Sequence, residues 1–388
     1  MTRLFFDISI TGHHSEYISH LIDYIINEKS DIHNVFVVHP QFADRFNDIF
    51  LKAKDYKHIE WCPVSEKELN DVGNLGILRG SIKRFALMDR YSSRFGASQV
   101  YLLFFNFFQF AMIFKRPNYK VNGILFKQFS RMRKKTLREK ILYLRKFYTT
   151  KLFVKNPTID SIFILNDEKT VESLNTKFKT DIFKYLQDPV PELVPNEDFN
   201  IFEHYGIKKN SEVYLHIGSL GNRKGTFEVI NSAMLIPKSE ENIVFLLVGK
   251  ATDKKTELEI HNNIQMIKKS NKNVTVVWDN RFVSTSTMKS LFEQCNVVLL
   301  PYKNPEASSG ILGHAIAARK PVIVTGEGLL KEIVLKHNFG WLLPKVTAKD
   351  LMELVLKAKN SKLKQPNFTE FLEKHTPFKF SQKLLEKQ

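Results

Sequence analysis

The chain has 388 residues, 43% of them hydrophobic and 26% charged, which excludes a disordered or fibrous protein and, at this length, predicts two folded domains. Cys62 and Cys295 are the two cysteines and lie far apart, so we expect no disulfide framework and no metal site. The net charge of +17 makes nucleic acids, anionic lipids and phosphorylated molecules the partner classes to consider.

The first ten residues contain one basic residue, and Asp7 interrupts their apolar run, so we predict no signal peptide and expect a cytoplasmic protein. The apolar run at 100–114 is shorter than the roughly 20 residues of a membrane-spanning helix, and it contains Asn106 and Gln109. A buried strand and helix are therefore expected there.

The N-terminal half opens with the pattern of a βαβ unit, which builds parallel, Rossmann-like sheets. It predicts a strand at 3–10, a turn at 11–14, a helix at 16–27 and a strand at 35–39. Because open α/β sheets bind ligands at the carboxyl ends of their strands, the turn residues Gly12, His13 and His14 are candidate site residues. His13 and His14 can bond a phosphate or an acceptor hydroxyl, with Glu16 orienting one of them. The alternative is that Ser15 or Glu16 only caps the helix.

Residues 127–155 contain eleven Lys and Arg against one acid, Glu139, so most of the excess charge is local. At helical spacing the segment predicts an amphipathic basic helix or helix pair. Its cations gather on one face, and its apolar residues share another, namely Phe126, Phe129, Leu137, Ile141, Leu144 and Tyr148.

Two interpretations of this basic segment stay open. It forms either the solvated outer face of a helix that packs on the core, or a surface that docks on an anionic membrane. The docking residues are then Arg131, Lys134, Lys135 and Arg138. Nucleic acid is not expected as a partner, because no recognisable binding motif accompanies the charge.

Three prolines in residues 187–195 stiffen a connector, and we place the domain boundary there. Beyond it the βαβ pattern returns. Strands are predicted at 213–217, 243–248, 274–278, 297–301 and 322–325, and helices at 227–235 and 311–318. A second parallel-sheet domain is therefore expected.

One strand, loop and helix of this half, at residues 295–323, has the features of an anion site. Ser308, Ser309 and Gly310 lie where the helix starts, and the free backbone N–H groups and positive dipole end of a helix suit a diphosphate. Glu306, just ahead of them, can accept hydrogen bonds from sugar hydroxyls.

This segment resembles the Glu-x7-Glu signature of family 4 glycosyltransferases, which are retaining enzymes of the GT-B fold. The resemblance gives Glu306 the place of the first glutamate, which contacts the donor sugar. His314 replaces the second glutamate, which holds the nucleotide ribose in the family. The alternatives are an exposed loop carboxylate for Glu306 and a helix residue packed against the sheet for His314.

A second match lies at residues 213–225, which resemble the family's strand followed by Gly-Arg and then Lys-Gly. The resemblance implies that Lys224 grips the donor diphosphate. Ser219 occupies the arginine position, so Arg223 is the candidate second cation. The leaving diphosphate gains negative charge, and this is why the chemistry needs cations. Weaker likeness at residues 274–283 implies that Phe282 and Val283 meet the base.

The resemblance implies a set of functional residues in both halves. The catalytic set is Glu306, Lys224 and His14. The donor-binding set is Gly12, His13, Ser219, Arg223, Lys224, Phe282, Val283, Glu306, Ser308, Ser309, Gly310, Ile311 and His314.

The implied architecture is α/β with the GT-B fold, in which two Rossmann-like parallel-sheet domains face a cleft. Residues 1–187 are expected to bind the acceptor and residues 196–367 the nucleotide sugar, while residues 368–388 form a C-terminal helix that packs on the first domain. The implied activity is retaining transfer of a hexose from a nucleotide-diphosphate sugar to a glycan or polyprenyl-linked acceptor, in polysaccharide or lipopolysaccharide biosynthesis. The donor is a substrate and no cofactor is expected.

Absence of a DxD triplet disfavours a metal-dependent transferase. Two other functions stay open: a sugar-nucleotide epimerase or phosphorylase of the same fold, and a donor-binding protein without turnover. With the basic segment, the expected location is cytoplasmic and peripheral on the inner face of the cell membrane.

Overall fold

The computed structural model describes residues 1–10, 14–29, 31–126, 128–270, 273–304, 309–361 and 363–386. The chain folds into two compact units. Unit 1 comprises Met1–Asp188 together with the chain from Pro377 onward, and unit 2 comprises Pro189–Thr376. The polypeptide therefore passes from one unit to the other inside the proline-containing connector.

The described residues of unit 1 form one sheet of seven parallel strands in the order β3-β2-β1-β4-β5-β6-β7. Its strands are β1 (Thr2–Asp7), β2 (His33–Val38), β3 (Ile59–Pro63), β4 (Gln99–Leu102), β5 (Lys120–Ile124), β6 (Ile159–Leu165) and β7 (Phe183–Leu186). Successive side chains of β1 enter opposite cores, since Leu4 and Phe6 pack on one face and Phe5 on the other. Burial on both faces explains the nearly continuous apolar runs of these strands.

Helices cover both faces of this sheet. They are α1 (His14–Asn27), α2 (Phe42–Arg45), α3 (Asn47–Lys52), α4 (Glu66–Val72), α5 (Ile77–Arg94), α6 (Ala111–Phe114), α7 (Leu137–Phe153) and α8 (Glu168–Phe178), with a 3-10 turn at Phe105–Phe107. The C-terminal helix of the chain, Pro377–Leu385, also belongs to unit 1. Its Phe380 ring is buried and stacks on Tyr17 of α1 at 4.9 Å between ring centroids.

The basic segment, expected as an amphipathic helix or helix pair from Phe126 onward, contains one long helix that starts later. Helix α7 begins only at Leu137, because Thr136 and Glu139 form a capping box at its start. Phe129 lies before the helix and is buried in the core, whereas the apolar residues of α7 that were expected to share its face are exposed.

Arg131 is a correction to the expected docking set. Its side chain is 12% exposed and forms a two-pronged ion pair with Asp167, with Nε 2.5 Å from Oδ2 and Nη2 2.7 Å from Oδ1. Asp167 is also buried and caps α8 by accepting a hydrogen bond from the Thr170 amide. A guanidinium held in this way does not face lipid, whereas Lys134, Lys135 and Arg138 are exposed.

The described residues of unit 2 form a sheet of six parallel strands in the order β10-β9-β8-β11-β12-β13. Its strands are β8 (Glu212–Ile217), β9 (Ile243–Val248), β10 (Val274–Asp279), β11 (Val297–Leu300), β12 (Val322–Thr325) and β13 (Gly340–Leu343). Its helices are α9 (Ile201–His204), α10 (Thr226–Leu235), α11 (Lys254–Ser270), α12 (Thr285–Gln294), α13 (Gly310–Ala317), α14 (Gly328–His337), α15 (Ala348–Asn360) and α16 (Phe368–Lys374).

The C-terminal residues from 368 onward, expected as one helix, form two. Helix α16 packs in unit 2, and Pro377–Leu385, designated α17, packs on unit 1. Across the residues that the structure describes, every helix is too short or too polar to cross a bilayer.

Candidate functional site

In unit 2 the strand order reverses between β8 and β11, which are neighbours in the sheet. From β8 the chain continues to β9 on one side, and from β11 it continues to β12 and β13 on the other. Open α/β sheets bind ligands outside the carboxyl ends of their strands at such a switch point. The loops after Ile217 and after Leu300 are therefore where a ligand of unit 2 is expected.

Glycine shapes the loop after β8. Gly225 has a φ of 72°, and a Cβ on it would lie 2.2 Å from the Pro301 carbonyl oxygen, so only glycine fits there. Gly218 has a φ of 121°, and a Cβ on it would lie 2.9 Å from Nζ of Lys224. These two glycines let the loop fold tightly, and the side chain of Lys224 returns to Gly218, where the loop starts.

A buried hydrogen-bond network fixes this loop from below. His216 Nδ1 lies 3.0 Å from the Leu299 carbonyl oxygen, to which it donates, and its Nε2 lies 3.0 Å from Thr226 Oγ1. The same hydroxyl accepts from the Gly221 amide at 2.9 Å. Burial lowers the pKa of His216 to about 4, so the ring is neutral and accepts from Thr226 at physiological pH.

Lys224 is the cation at the centre of this switch point. Its Nζ donates to Tyr302 Oη at 2.9 Å and lies 4.7 Å from the centre of that ring. Tyr302 Oη is in turn 3.2 Å from Ser309 Oγ. The loops after β8 and β11 and the start of α13 thus meet through three polar side chains, and within the described residues no carboxylate neutralises Lys224.

Arg223 and Ser219 lie on the exposed side of the same loop. The Arg223 carbonyl accepts from the Lys303 amide at 2.9 Å, which ties the two loops together. Lys303 forms an ion pair with Glu228 at 2.7 Å, so its charge is already compensated. Arg223 has no ion-pair partner in the part of unit 2 that the structure describes, and its guanidinium is available to a ligand.

Helix α13 begins beside Tyr302. Ser309 is its N-cap residue and Gly310 its first residue, so backbone N–H groups of the first turn point toward the switch point. Ile311 is half-buried and packs on the core. This helix start offers hydrogen-bond donors and a positive dipole end next to the ammonium group of Lys224.

His314 lies one turn further along α13 and is buried, with 8% of its surface exposed. Its ring lies 5.8 Å from that of Phe292. This is the placement expected of a helix residue packed against its neighbours.

Phe282 and Val283 follow β10. Phe282 is 78% exposed, and Nζ of Lys250 lies 5.3 Å from its ring centre. Val283 is half-buried against the core. An exposed ring beside a strand end is a surface on which a planar base can stack.

Four predicted site residues, Gly12, His13, Glu306 and Ser308, lie outside the described residues. His14 is described, and it belongs to the switch point of unit 1, where the strand order reverses between β1 and β4. His14 Nδ1 is 2.5 Å from Oδ2 of Asp7, the last residue of β1, and its ring lies 5.6 Å from Phe104 after β4. Asp7 is 5% exposed, and its other oxygen accepts from the Ser9 amide. The buried carboxylate therefore holds Nδ1–H and leaves Nε2 of His14 as an acceptor or base.

A cavity of about 190 Å³ opens beside this pair. Its walls are mainly apolar, and its polar residues are Asp7, Ser9 and Arg84. The guanidinium of Arg84 lies 4.6 Å from the ring centre of Phe107, and burial lowers its pKa. No carboxylate pairs directly with Arg84 anywhere in the described ranges, although the Asp7 carboxylate also lines this cavity.

Residues 197–375, almost all of unit 2, match the family model of glycosyl transferases group 1. Unit 2 is therefore similar to the glycosyl transferases of group 1. No curated protein matches the chain in sequence.

Solved glycosyltransferase structures match the chain over both units. WaaG, a glycosyltransferase involved in lipopolysaccharide biosynthesis, has a TM-score of 0.63 and 16% identity, with all of both chains covered. A glycosyltransferase from Rickettsia africae has a TM-score of 0.68 and 11% identity over 100% of this chain and 99% of the other. HepE from Anabaena in complex with UDP-glucose has a TM-score of 0.65 and 15% identity over 99% and 98%. At these identities the likeness establishes the GT-B fold, and it confirms the expected fold class.

Sequence reasoning misses three residues near the two switch points. Asp7 interrupts an apolar run, and its position at the end of the first strand is the signal that points to a site residue. Tyr302 lies just after the end of β11, so its position gives the same kind of signal. Arg84 carries no signal in sequence, because it lies on α5 and reaches the cavity only through the packing of that helix.

Proposed function

We propose that the protein is a retaining glycosyltransferase that moves a hexose from a nucleotide-diphosphate sugar to a glycan or polyprenyl-linked acceptor during cell-surface polysaccharide or lipopolysaccharide assembly. The observation that carries the proposal is the meeting of Lys224, Tyr302 and Ser309 at the switch point of a group 1 transferase domain. The UDP-glucose complex of HepE supports the donor class, and the role of WaaG in lipopolysaccharide biosynthesis supports the pathway.

The donor diphosphate binds between Lys224 and the first turn of α13. The ammonium group of Lys224, the backbone amides after Ser309 and the exposed guanidinium of Arg223 together offset the charge of the leaving group. These groups need no metal ion as an additional counter-charge. Charge that develops on a leaving phosphate is stabilised most by donors that are already in place, and a buried tyrosine hydrogen bond holds Lys224 in place.

The reaction breaks the bond between the anomeric carbon and the phosphate oxygen. The acceptor hydroxyl oxygen bonds to the same face of that carbon, and its proton passes to the leaving phosphate. Glu306 binds the sugar hydroxyls, while Phe282 and Val283 contact the base. The exposed ring of Phe282 supports the last assignment.

Unit 1 binds the acceptor at its own switch point. His14 is oriented by Asp7, a residue that lines the cavity, and its Nε2 can bond a sugar hydroxyl. Arg84 gives the cavity a preference for an acceptor that carries a phosphate or carboxylate group. The apolar walls contact the remainder of that molecule.

The protein works in the cytoplasm at the inner face of the cell membrane. The exposed cations Lys134, Lys135 and Arg138 support this location. Arg131 is excluded from this surface because its charge is paired with Asp167.

The test begins with a thermal-shift screen of nucleotide sugars, since a bound donor stabilises the folded state by mass action. Turnover with the best donor is then followed as nucleoside diphosphate release, and the anomeric configuration of the product is read by NMR. Lys224→Met is expected to lower kcat about 100-fold to 1,000-fold, the usual loss for one charge-stabilising donor. Lys255→Met, an exposed lysine on α11, is the matched control and should turn over normally.

Near-normal turnover of Lys224→Met would refute the donor site. A donor-binding protein without turnover is the second candidate, and the burial of His314 at the position of the family's second glutamate favours it. That candidate would be established if a donor stabilises the protein but no nucleoside diphosphate is released with any cell extract supplied as a source of acceptors. Release of a free epimer would establish the epimerase instead.

A further inference from the structure

We propose that helix α7 inserts its outer face into the interface of an anionic membrane, so that apolar side chains and not charge alone hold the protein there. The proposal concerns an apolar stripe made of Leu137, Ile141, Leu144, Tyr148 and Leu152. Membrane insertion does not depend on the transferase activity, so the two can fail separately.

The five stripe residues are strongly exposed for large apolar side chains. Their exposed fractions are 75% for Leu137, 59% for Ile141, 49% for Leu144, 54% for Tyr148 and 45% for Leu152. Their spacing of 4, 3, 4 and 4 residues places them on one side of an α-helix over roughly 22 Å. Isolated exposed apolar residues are ordinary, but a contiguous patch of this kind marks an interaction surface.

The opposite side of α7 is anchored in unit 1. The rings of Tyr143 and Phe147 each lie 5.4 Å from that of Phe129, and Phe147 also contacts Phe178 at 5.7 Å. Phe153 at the end of the helix is fully buried. The stripe is therefore the outer face of a firmly packed helix.

Basic residues border the stripe on both sides. At about 100° per residue, Arg138 and Arg145 lie along one edge, and Lys140 and Lys151 lie along the other, and all four are exposed. Glu139 is the acid of this helix surface, and its carboxylate accepts from the backbone amides of residues 135 and 136. The border of the stripe thus presents positive charge.

This combination selects anionic lipid over other occupants. Exposed Lys and Arg attract anionic headgroups and strengthen partitioning about fivefold each near the surface, while the apolar residues enter the acyl boundary between them. A second copy of the chain would bring two like-charged borders together, and like charges repel. A nucleic acid would leave the apolar stripe without a partner.

The experiment measures co-sedimentation of the full chain with vesicles of phosphatidylcholine and phosphatidylglycerol, and with vesicles of phosphatidylcholine alone. The apolar variant carries Ile141→Ser, Leu144→Ser and Tyr148→Ser. Its matched control carries Leu258→Ser, Met266→Ser and Leu335→Ser, three exposed apolar residues of unit 2. The charge variant carries Arg138→Glu, Lys140→Glu and Arg145→Glu.

We expect wild type and control to bind the anionic vesicles, and both other variants to bind at least tenfold more weakly. A Leu144→Trp variant, in a chain whose native tryptophans are changed to Phe, is expected to give blue-shifted emission on vesicle addition, and brominated acyl chains should quench it. Binding by the apolar variant at wild-type strength, or an emission of the Leu144→Trp variant that does not shift, would overturn insertion and leave charge-based docking only. A wild-type dimer that the apolar variant abolishes, with no vesicle binding, would assign the stripe to a second copy and also overturn the proposal.

Discussion

The buried ion pair between Arg131 and Asp167 should contribute much more to the stability of unit 1 than the exposed cations near it do. In Arg131→Met the aliphatic part of the side chain is kept, but the Asp167 carboxylate, 2% exposed, loses both guanidinium hydrogen bonds. Removing one partner of a buried ion pair costs about 3–5 kcal/mol, because the other charge remains buried without compensation. Lys135→Met removes an exposed charge and should change the free energy of unfolding by less than about 0.5 kcal/mol.

Urea unfolding of unit 1 can be followed separately. Trp61 belongs to unit 1, and the other two of the three tryptophans, Trp278 and Trp341, belong to unit 2. With both of those changed to Phe, fluorescence reports unit 1 alone. For an m-value of about 2–3 kcal/mol per M, the Arg131→Met midpoint should fall by about 1–2 M.

The double variant Arg131→Met with Asp167→Asn tests the cause of the loss. Removing the buried charge should recover part of the stability. The double variant should therefore lose less stability than the two single variants lose together, by more than about 1 kcal/mol. Equal urea midpoints for Arg131→Met and Lys135→Met would refute the reasoning. Arg131→Met should also leave vesicle binding unchanged.

Three further predictions concern the two switch points. Asp7→Asn takes the carboxylate from His14 Nδ1 and should lower kcat/KM about 100-fold or more without changing donor-induced stabilisation; a parallel loss of donor binding would contradict the assignment. Arg84→Gln should raise KM at least tenfold for a phosphorylated or carboxylated acceptor but not for a neutral one, and identical effects on both would argue against an anion subsite. Burial lowers the pKa of His216 to about 4, whereas the unfolded chain has a value near 6.5, so the unfolded state binds the proton first as pH falls. The free energy of unfolding of unit 2 should therefore decrease by up to about 3 kcal/mol between pH 6.5 and pH 4. His216→Asn should flatten this loss in urea midpoints measured at pH 7 and 4.5, and an unchanged slope would count against it.

Strands buried on both faces were the most predictable elements of the fold. Ile243–Val248 matches its predicted bounds, because all six residues are buried and form one apolar run. The first strand ends three residues earlier than predicted. The Asp7 carboxylate accepts from the backbone amide of Ser9, two residues ahead, and this local bond competes with continuation of the strand.

The candidate site was predictable where one short motif carries it. Lys224 follows a strand and a glycine-rich loop, and the structure places it at the switch point. The contact between Tyr302 and Lys224 was not predictable, because it joins residues 78 positions apart. Charge counting failed for Arg131 for a related reason, since its partner Asp167 lies 36 residues away and composition does not reveal pairing.

The C-terminal helix makes unit 1 discontinuous along the chain, and this sets an order for synthesis. Phe380 stacks on Tyr17, and Arg3 donates to the Leu385 carbonyl oxygen across 382 positions of sequence. A ribosome therefore finishes all of unit 2 before it releases the last helix of unit 1. Until then, the apolar side chains on α1 that cover Phe380 remain without their partner. Nascent chains interrupted after residue 376 would thus expose an apolar surface on the unit that was translated first, and chaperones would be expected to bind there.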